Sequence, residues 1–119
     1  MIGSYTPRLF ASHSFTSIAL FARSSSTLSA SRDFIAAAAP SVKIHLYEAD
    51  VTDTPGLTSA LQRAVTEVGA PEVVLYNAAR INYGMFGDYK EEDIVEDFKI
   101  PNLGSVSYTH LTLPTNREV

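Results

Sequence analysis

Short apolar runs alternate along this chain with stretches of helical periodicity, and that alternation constrains its fold more than any other feature. Residues 17–22, Ser-Ile-Ala-Leu-Phe-Ala, form a compact apolar run between polar neighbours. Such a run reads as a strand buried on both faces. Residues 41–48 alternate, with Val42, Ile44 and Leu46 on one face, and read as a second strand. Val73, Val74, Leu75 and Tyr76 make a third run, expected to be a short buried strand that ends at residues 77–79.

Helices are expected between and around these strands. Residues 4–12 follow Gly3, and Pro7 is tolerable in a first turn. Residues 28–38 place Leu28, Phe34 and Ile35 inward and Arg32 and Asp33 outward. Thr54 supplies an N-cap and Pro55 a first helical position. After them Leu57, Leu61, Ala64, Val65 and Val68 fall on one apolar face. Gly69 is placed to close that helix in a left-handed conformation. A last helix is expected to start at Glu91, Glu92 and Asp93, whose charges suit the positive end of a helix dipole. Its buried side would be Ile94, Val95 and Phe98.

The order is therefore helix, strand, helix, strand, helix, strand, helix. Strands separated by helices imply an α/β fold with a doubly wound parallel sheet covered on both faces. Such sheets bind ligands at the carboxyl ends of their strands. Arg23-Ser24, the Asp-Val-Thr-Asp of residues 50–53, and Asn77-Ala78-Ala79 occupy those ends.

Composition removes several function classes. The 119 residues allow one domain, and 45% apolar with 18% charged residues describes a soluble globular chain. A net charge of −4 argues against a nucleic-acid partner, which needs a basic face. There is no cysteine, and His13, His45 and His110 lack ligand spacing, so no metal site is expected. No apolar run approaches the ~20 residues of a membrane-spanning helix. Residues 1–32 contain Arg8, Arg23, Arg32 and many serines but no acid, the composition of an organelle transit peptide. The strand-like run inside that stretch favours a folded segment, and with it a cytoplasmic protein.

These residues resemble the short-chain dehydrogenases/reductases, from about Ile2 to Gly104. Asp50-Val51-Thr52-Asp53 is similar to the family's segment after its third strand. There the resemblance implies that Asp50 contacts the adenine amino group and the backbone of Val51 helps hold the ring. Tyr76-Asn77-Ala78-Ala79 resembles the Asn-Asn-Ala-Gly motif after the fourth strand. Asn102 falls where the family has the asparagine of its catalytic tetrad, which kinks a helix and holds a water in the proton relay. Ile2-Gly3 is similar to the end of the glycine-rich phosphate loop, with the following helix aimed at the pyrophosphate. The resemblance thus implies a Rossmann-type fold lacking its first strand and its C-terminal half. The intact parent is expected to be an oligomeric enzyme transferring hydride between a dinucleotide and a small alcohol or carbonyl substrate.

Elementary chemistry supports those assignments and leaves alternatives. A backbone approaches a pyrophosphate only where side chains are absent, which gives Gly3 a reason. A carboxylate such as Asp50 accepts from an exocyclic amine, and small residues at Ala78 and Ala79 leave room for a ribose. Equally, Asp50 and Asp53 fit a solvated turn with a helix N-cap, and Asn77 fits a turn. Residue 23 bears on the cofactor. Sites selecting NAD place an acid at the end of the second strand, whereas those selecting NADP use an arginine for the 2′-phosphate. Here Arg23 is followed by Ser24 and Ser25 with no acid, so NADP(H) is expected over NAD(H), with Ser24 adding a donor.

The departures are as specific as the matches. Met1 stands where the phosphate loop has its middle glycine, Tyr76 replaces an asparagine and Ala79 a glycine. Pro101 would break a straight helix. No tyrosine is followed four residues later by lysine, so the chain itself is expected to be inactive. Loss of the first strand would expose apolar edges of its neighbours, so the chain is also expected to be aggregation-prone and to bind NADPH weakly or not at all. Residues 105–119 do not continue the pattern. Propensity reads 105–113 as a strand, but residues 106–115 are what GTC TCT TAT ACA CAT CTG ACG CTG CCG ACG encodes, the sequence of a transposase-type sequencing adapter. A foreign tail over residues 105–119 is therefore expected. A non-catalytic dinucleotide-binding or sensor relative is the second reading. A phosphoacceptor receiver domain is a poor third, since no acid precedes Asp33.

Overall fold

The computed structural model describes residues 2–80, 83–85 and 87–112. The elements are α1 (Ile2–Ala11), β1 (Ser17–Ala22), α2 (Ser25–Ala38), β2 (Lys43–Glu48), α3 (Thr54–Val68) and α4 (Glu91–Thr112). The chain divides into two compact units. One comprises Met1–Ala49 with Arg63–Pro71, and the other Asp50–Gln62 with Glu72–Val119.

In the first unit, β1 and β2 pair in parallel, with Ile18 beside Ile44, Leu20 beside Leu46 and Phe21 beside Tyr47. The crossover is α2, as a parallel pair requires. Side chains alternate across the sheet. On one face Ile18, Leu20, Val42 and Ile44 pack against Ala11, Ile35 and Ala39 from α1, α2 and its C-cap. On the other, Phe21 stacks on Tyr47 with ring centroids 5.1 Å apart. There Arg63 and Glu67 of α3 meet the Tyr47 ring and hydroxyl. Both faces of the pair are thus covered, as the apolar run of β1 predicts. A buried hydrogen bond of 2.9 Å between the Ser4 and Ser31 hydroxyls joins α1 to α2.

In the second unit, Asp53 rather than Thr54 caps α3. Its carboxylate accepts from the Gly56 amide at 3.3 Å, and Thr54 is already helical. The apolar face of α3 is shifted from expectation as well. Leu57, Ala60 and Ala64 are buried while Val65 is 42% exposed. The helix closes at Gly69, in the first unit, at φ +110° and with its amide on the Val65 carbonyl.

Three expectations fail in this unit. Residues 73–76 form no strand, and Val73, Val74 and Leu75 are exposed. Among the described residues the paired strands are β1 and β2, and residue types alone do not make a strand without a neighbour's hydrogen bonds. Ile94, Val95 and Phe98 are also exposed instead of forming a buried side. Polar contacts from residues 76 and 80 engage α4 through its carboxylates and a carbonyl, leaving these apolar side chains uncovered. Finally, α4 runs through Pro101 as far as Thr112. Residues 105–112 are helical rather than extended, because adding a turn to an existing helix costs far less than nucleating one. Residues 113–119, with the end of the expected strand and foreign tail, lie outside the described residues.

Candidate functional site

Arg23 and Ser24 sit where β1 gives way to α2, at the carboxyl end of the strand. Ser24 is the N-cap residue of α2 in extended conformation, yet its side chain makes no capping hydrogen bond. Instead its hydroxyl lies 2.7 Å from that of Ser26. The first amides of α2 therefore receive no side-chain acceptor from the cap, and such amides attract an anion. Arg23 is exposed, and no ion pair to it occurs among the described residues. An uncapped helix start beside an uncommitted guanidinium is chemically suited to a phosphate monoester.

Gly3 lies in the first turn of α1, exposed, directly before the buried Ser4. The hydrogen bond from Ser4 to Ser31 fixes that turn against α2. Gly3, Arg23 and Ser24 all belong to the first unit.

The other expected site residues belong to the second unit. Asp50 follows β2 and closes a tight turn, its Oδ1 accepting from the Thr52 amide at 2.8 Å and the Thr52 hydroxyl at 2.7 Å. Both bonds fall on the same carboxylate oxygen. Val51 is half-buried inside the same turn. The turn-and-cap reading of Asp50 and Asp53 thus describes bonds that both residues make, and a ligand contact by Asp50 would be additional.

Asn77 and Ala79 are exposed and Ala78 half-buried, in a segment without regular structure. Asn102 is on α4, exposed, with its side-chain amide donating to the Phe98 carbonyl at 2.8 Å. Its own carbonyl accepts from the Ser105 hydroxyl at 2.7 Å.

Sequence reasoning missed what holds this segment. Arg80 donates to Glu96 at 2.7 Å and to Asp93 at 3.0 Å, with Asp97 at 3.7 Å. Tyr76 donates to the carbonyl of Ile100. The hydrogen bond from Arg80 holds the Asp93 carboxyl below its usual range, and burial pushes the Tyr76 phenol upward. A signal existed: Asp93, Glu96 and Asp97 stand at i, i+3 and i+4 on one helix face, an acidic stripe that calls for a cation from elsewhere.

Comparison with known proteins bears on the family and the fold. The family model for short chain dehydrogenases matches residues 2–118. No curated protein matches the chain significantly. Among solved structures, a short chain oxidoreductase from Pseudomonas aeruginosa with an atypical catalytic center superposes with a TM-score of 0.85 at 18% identity, over 99% of this chain and 45% of the other. An alcohol dehydrogenase from the archaeon Thermococcus sibiricus, complexed with 5-hydroxy-NADP, gives 0.79 at 20% identity over 94% and 46%. A dehydrogenase from Burkholderia cenocepacia with bound NADP gives 0.79 at 17% over 93% and 42%. At these identities the likeness concerns the fold, and the chain spans less than half the length of each. With a family match over nearly all its residues, the chain belongs to the short-chain dehydrogenases.

Proposed function

We propose that these residues form the dinucleotide-binding part of an oxidoreductase that moves hydride between NADP(H) and a small alcohol or carbonyl compound. Family membership carries the reading, and the NADP-bound relatives of like fold support it. The preference for NADP(H) over NAD(H) rests on Arg23 and the uncapped start of α2, with no carboxylate at the end of β1 to repel a 2′-phosphate.

Each residue has a stated task. The Gly3 turn of α1 approaches the pyrophosphate, while Arg23 and Ser24 take the 2′-phosphate through charge-assisted and hydroxyl donors. Asp50 accepts from the adenine amine with Val51 lining the ring. Asn77, Ala78 and Ala79 lie against the ribose, and Asn102 serves the proton relay. The bound dinucleotide supplies the hydride; the protein binds, orients and handles protons.

No tyrosine in these 119 residues has a lysine four positions on, so the chain alone is expected not to turn over. The second reading is a non-catalytic dinucleotide-binding relative of the same fold. Titrating the full-length protein that carries these residues with NADPH and NADH, followed by alcohol and aldehyde turnover, distinguishes them. Tighter NADPH binding with turnover is expected. Binding without turnover would establish the sensor reading, and no binding of either dinucleotide would sink both. The protein is further proposed to be cytoplasmic and a homo-oligomer, readable by fractionation and light scattering.

Residues 105–119 are proposed to be foreign to the native domain, on the identity of residues 106–115 with an adapter translation. The family match does run to residue 118. Sequencing the genomic locus decides the matter, since uninterrupted coding sequence through this stretch would refute it.

A further inference from the structure

The segment carrying Asn77, Ala78 and Ala79 is fastened to α4 on both sides. Tyr76 before it donates to the Ile100 carbonyl. Arg80 after it donates to Glu96 and Asp93, with Asp97 close by. The attachment points run in opposite order, so the segment lies antiparallel to the helix. The spans agree. Residues 93 to 100 cover about 10 Å of helix axis, and residues 76 to 80 reach at most about 14 Å when extended. Asn77 therefore lies toward the end of α4 that continues to Asn102, two residues beyond Ile100.

Arginine has a specific reason to occupy position 80. Its planar fork engages two carboxylates at once, Nη1 on Glu96 and Nη2 on Asp93. A lysine ammonium is a single point charge and cannot span them in the same way. The side chains of Arg80, Asp93 and Asp97 are each about one-third exposed or less, at 30%, 33% and 30%, so solvent screens this network only in part.

We propose that Arg80, together with Tyr76, is a positioning residue that sets the register of residues 77–79 along α4 and so places Asn77 relative to Asn102. The roles of Asn77 and Asn102 rest on the dinucleotide reading above; the clamp itself does not. A tie that merely stabilised the fold would lower thermal stability and leave the local geometry of the motif unchanged.

The test uses the full-length protein as wild type, Arg80→Met, Arg80→Lys and Tyr76→Phe, each studied well below its own melting transition. The first readout is the backbone amide resonances of Ala78, Ala79 and Asn102. They are expected to move together in Arg80→Met and Tyr76→Phe, and to return part of the way in Arg80→Lys. The second is NADPH affinity, expected to weaken about fivefold in Arg80→Met with partial recovery in Arg80→Lys. If the wild type binds no dinucleotide, the functional reading fails and the resonances alone decide the clamp. Unmoved Ala78 and Asn102 resonances in Arg80→Met would overturn the proposal, whereas moved resonances with unchanged NADPH affinity would overturn the contact of Asn77 with the dinucleotide and uphold the clamp.

Discussion

Tyr47, buried in β2, donates its phenolic hydrogen to Glu67 of α3 across 2.6 Å. Burial first, and then the neighbouring Glu67 carboxylate, push the phenol up from 10.0 to about 12. The unfolded chain therefore ionises Tyr47 before the folded protein does. Its contribution to stability is intact below about pH 10 and lost as pH rises toward about 12. Urea unfolding across that window should show a falling midpoint, with a smaller fall in Tyr47→Phe. At neutral pH the same variant keeps the Phe21 stack and should cost about 1 kcal/mol for the missing hydrogen bond. Identical pH profiles for the two proteins would refute the assignment.

The buried hydroxyl pair of Ser4 and Ser31 makes a closed cycle. Removing either partner leaves the other buried without an acceptor or donor, costing about 1–2 kcal/mol. Removing both leaves no polar group to satisfy. The double variant Ser4→Ala with Ser31→Ala should be less destabilised than the sum of the two single changes, by about 1 kcal/mol. Strict additivity in denaturant unfolding would show that the two hydroxyls do not depend on one another.

At the C-terminus of α3, Gly69 has φ +110°, and a Cβ there would meet nothing within 4 Å. The cost of Gly69→Ala is therefore conformational rather than steric, about 1 kcal/mol. At the other end, Asp53→Ala should cost a similar amount by removing the cap, whereas Thr54→Ala should cost less. Equal losses at residues 53 and 54 would contradict the cap assignment.

How far these features could be read in advance depends on the range over which each is determined. The run that becomes β1, the crossover α2 and the closing Gly69 are local patterns, and they appear as expected except that α2 begins at Ser25, three residues before the expected start. Val73, Val74 and Leu75 have the residue types of a strand. A strand, however, is completed by a neighbour's hydrogen bonds, which lie outside any local pattern. Tyr47 falls outside the alternating set of Val42, Ile44 and Leu46. The opposite face is buried too, by α3, and Tyr47 is the strand's most buried residue. Among the candidate site residues, Arg23 and Ser24 stand at the strand end where their order in the chain put them. The partners of Arg80 lie 13 to 17 positions away, beyond the reach of any local pattern.

The exposed run at residues 73–75 carries an aggregation risk, because apolar residues of high strand propensity lie uncovered beside one another. Val74 is 41% exposed, so Val74→Lys should raise the soluble yield of the 119-residue chain with at most about 0.5 kcal/mol change in stability. Light scattering during concentration measures the first effect and urea unfolding the second. Unchanged scattering would place the sticky surface elsewhere, with Ile94 and Phe98 the next to examine.

Charge at residue 23 tests the cofactor preference most directly. Arg23 stands beside helix amides that no side chain caps, so a 2′-phosphate placed there would meet a guanidinium and a helix start together. Arg23→Glu in the full-length protein replaces attraction by repulsion at one point while leaving the amides in place. NADPH affinity should fall by about tenfold or more, since a charge-assisted pair contributes about 1.5–3 kcal/mol. NADH, which has no phosphate at that hydroxyl, should bind as well or better, because the new carboxylate can accept from the free ribose hydroxyls. Equal losses for both dinucleotides would mean that Arg23 supports the strand end rather than reading the phosphate. An unchanged ratio with unchanged affinities would move the selecting residue away from β1 altogether.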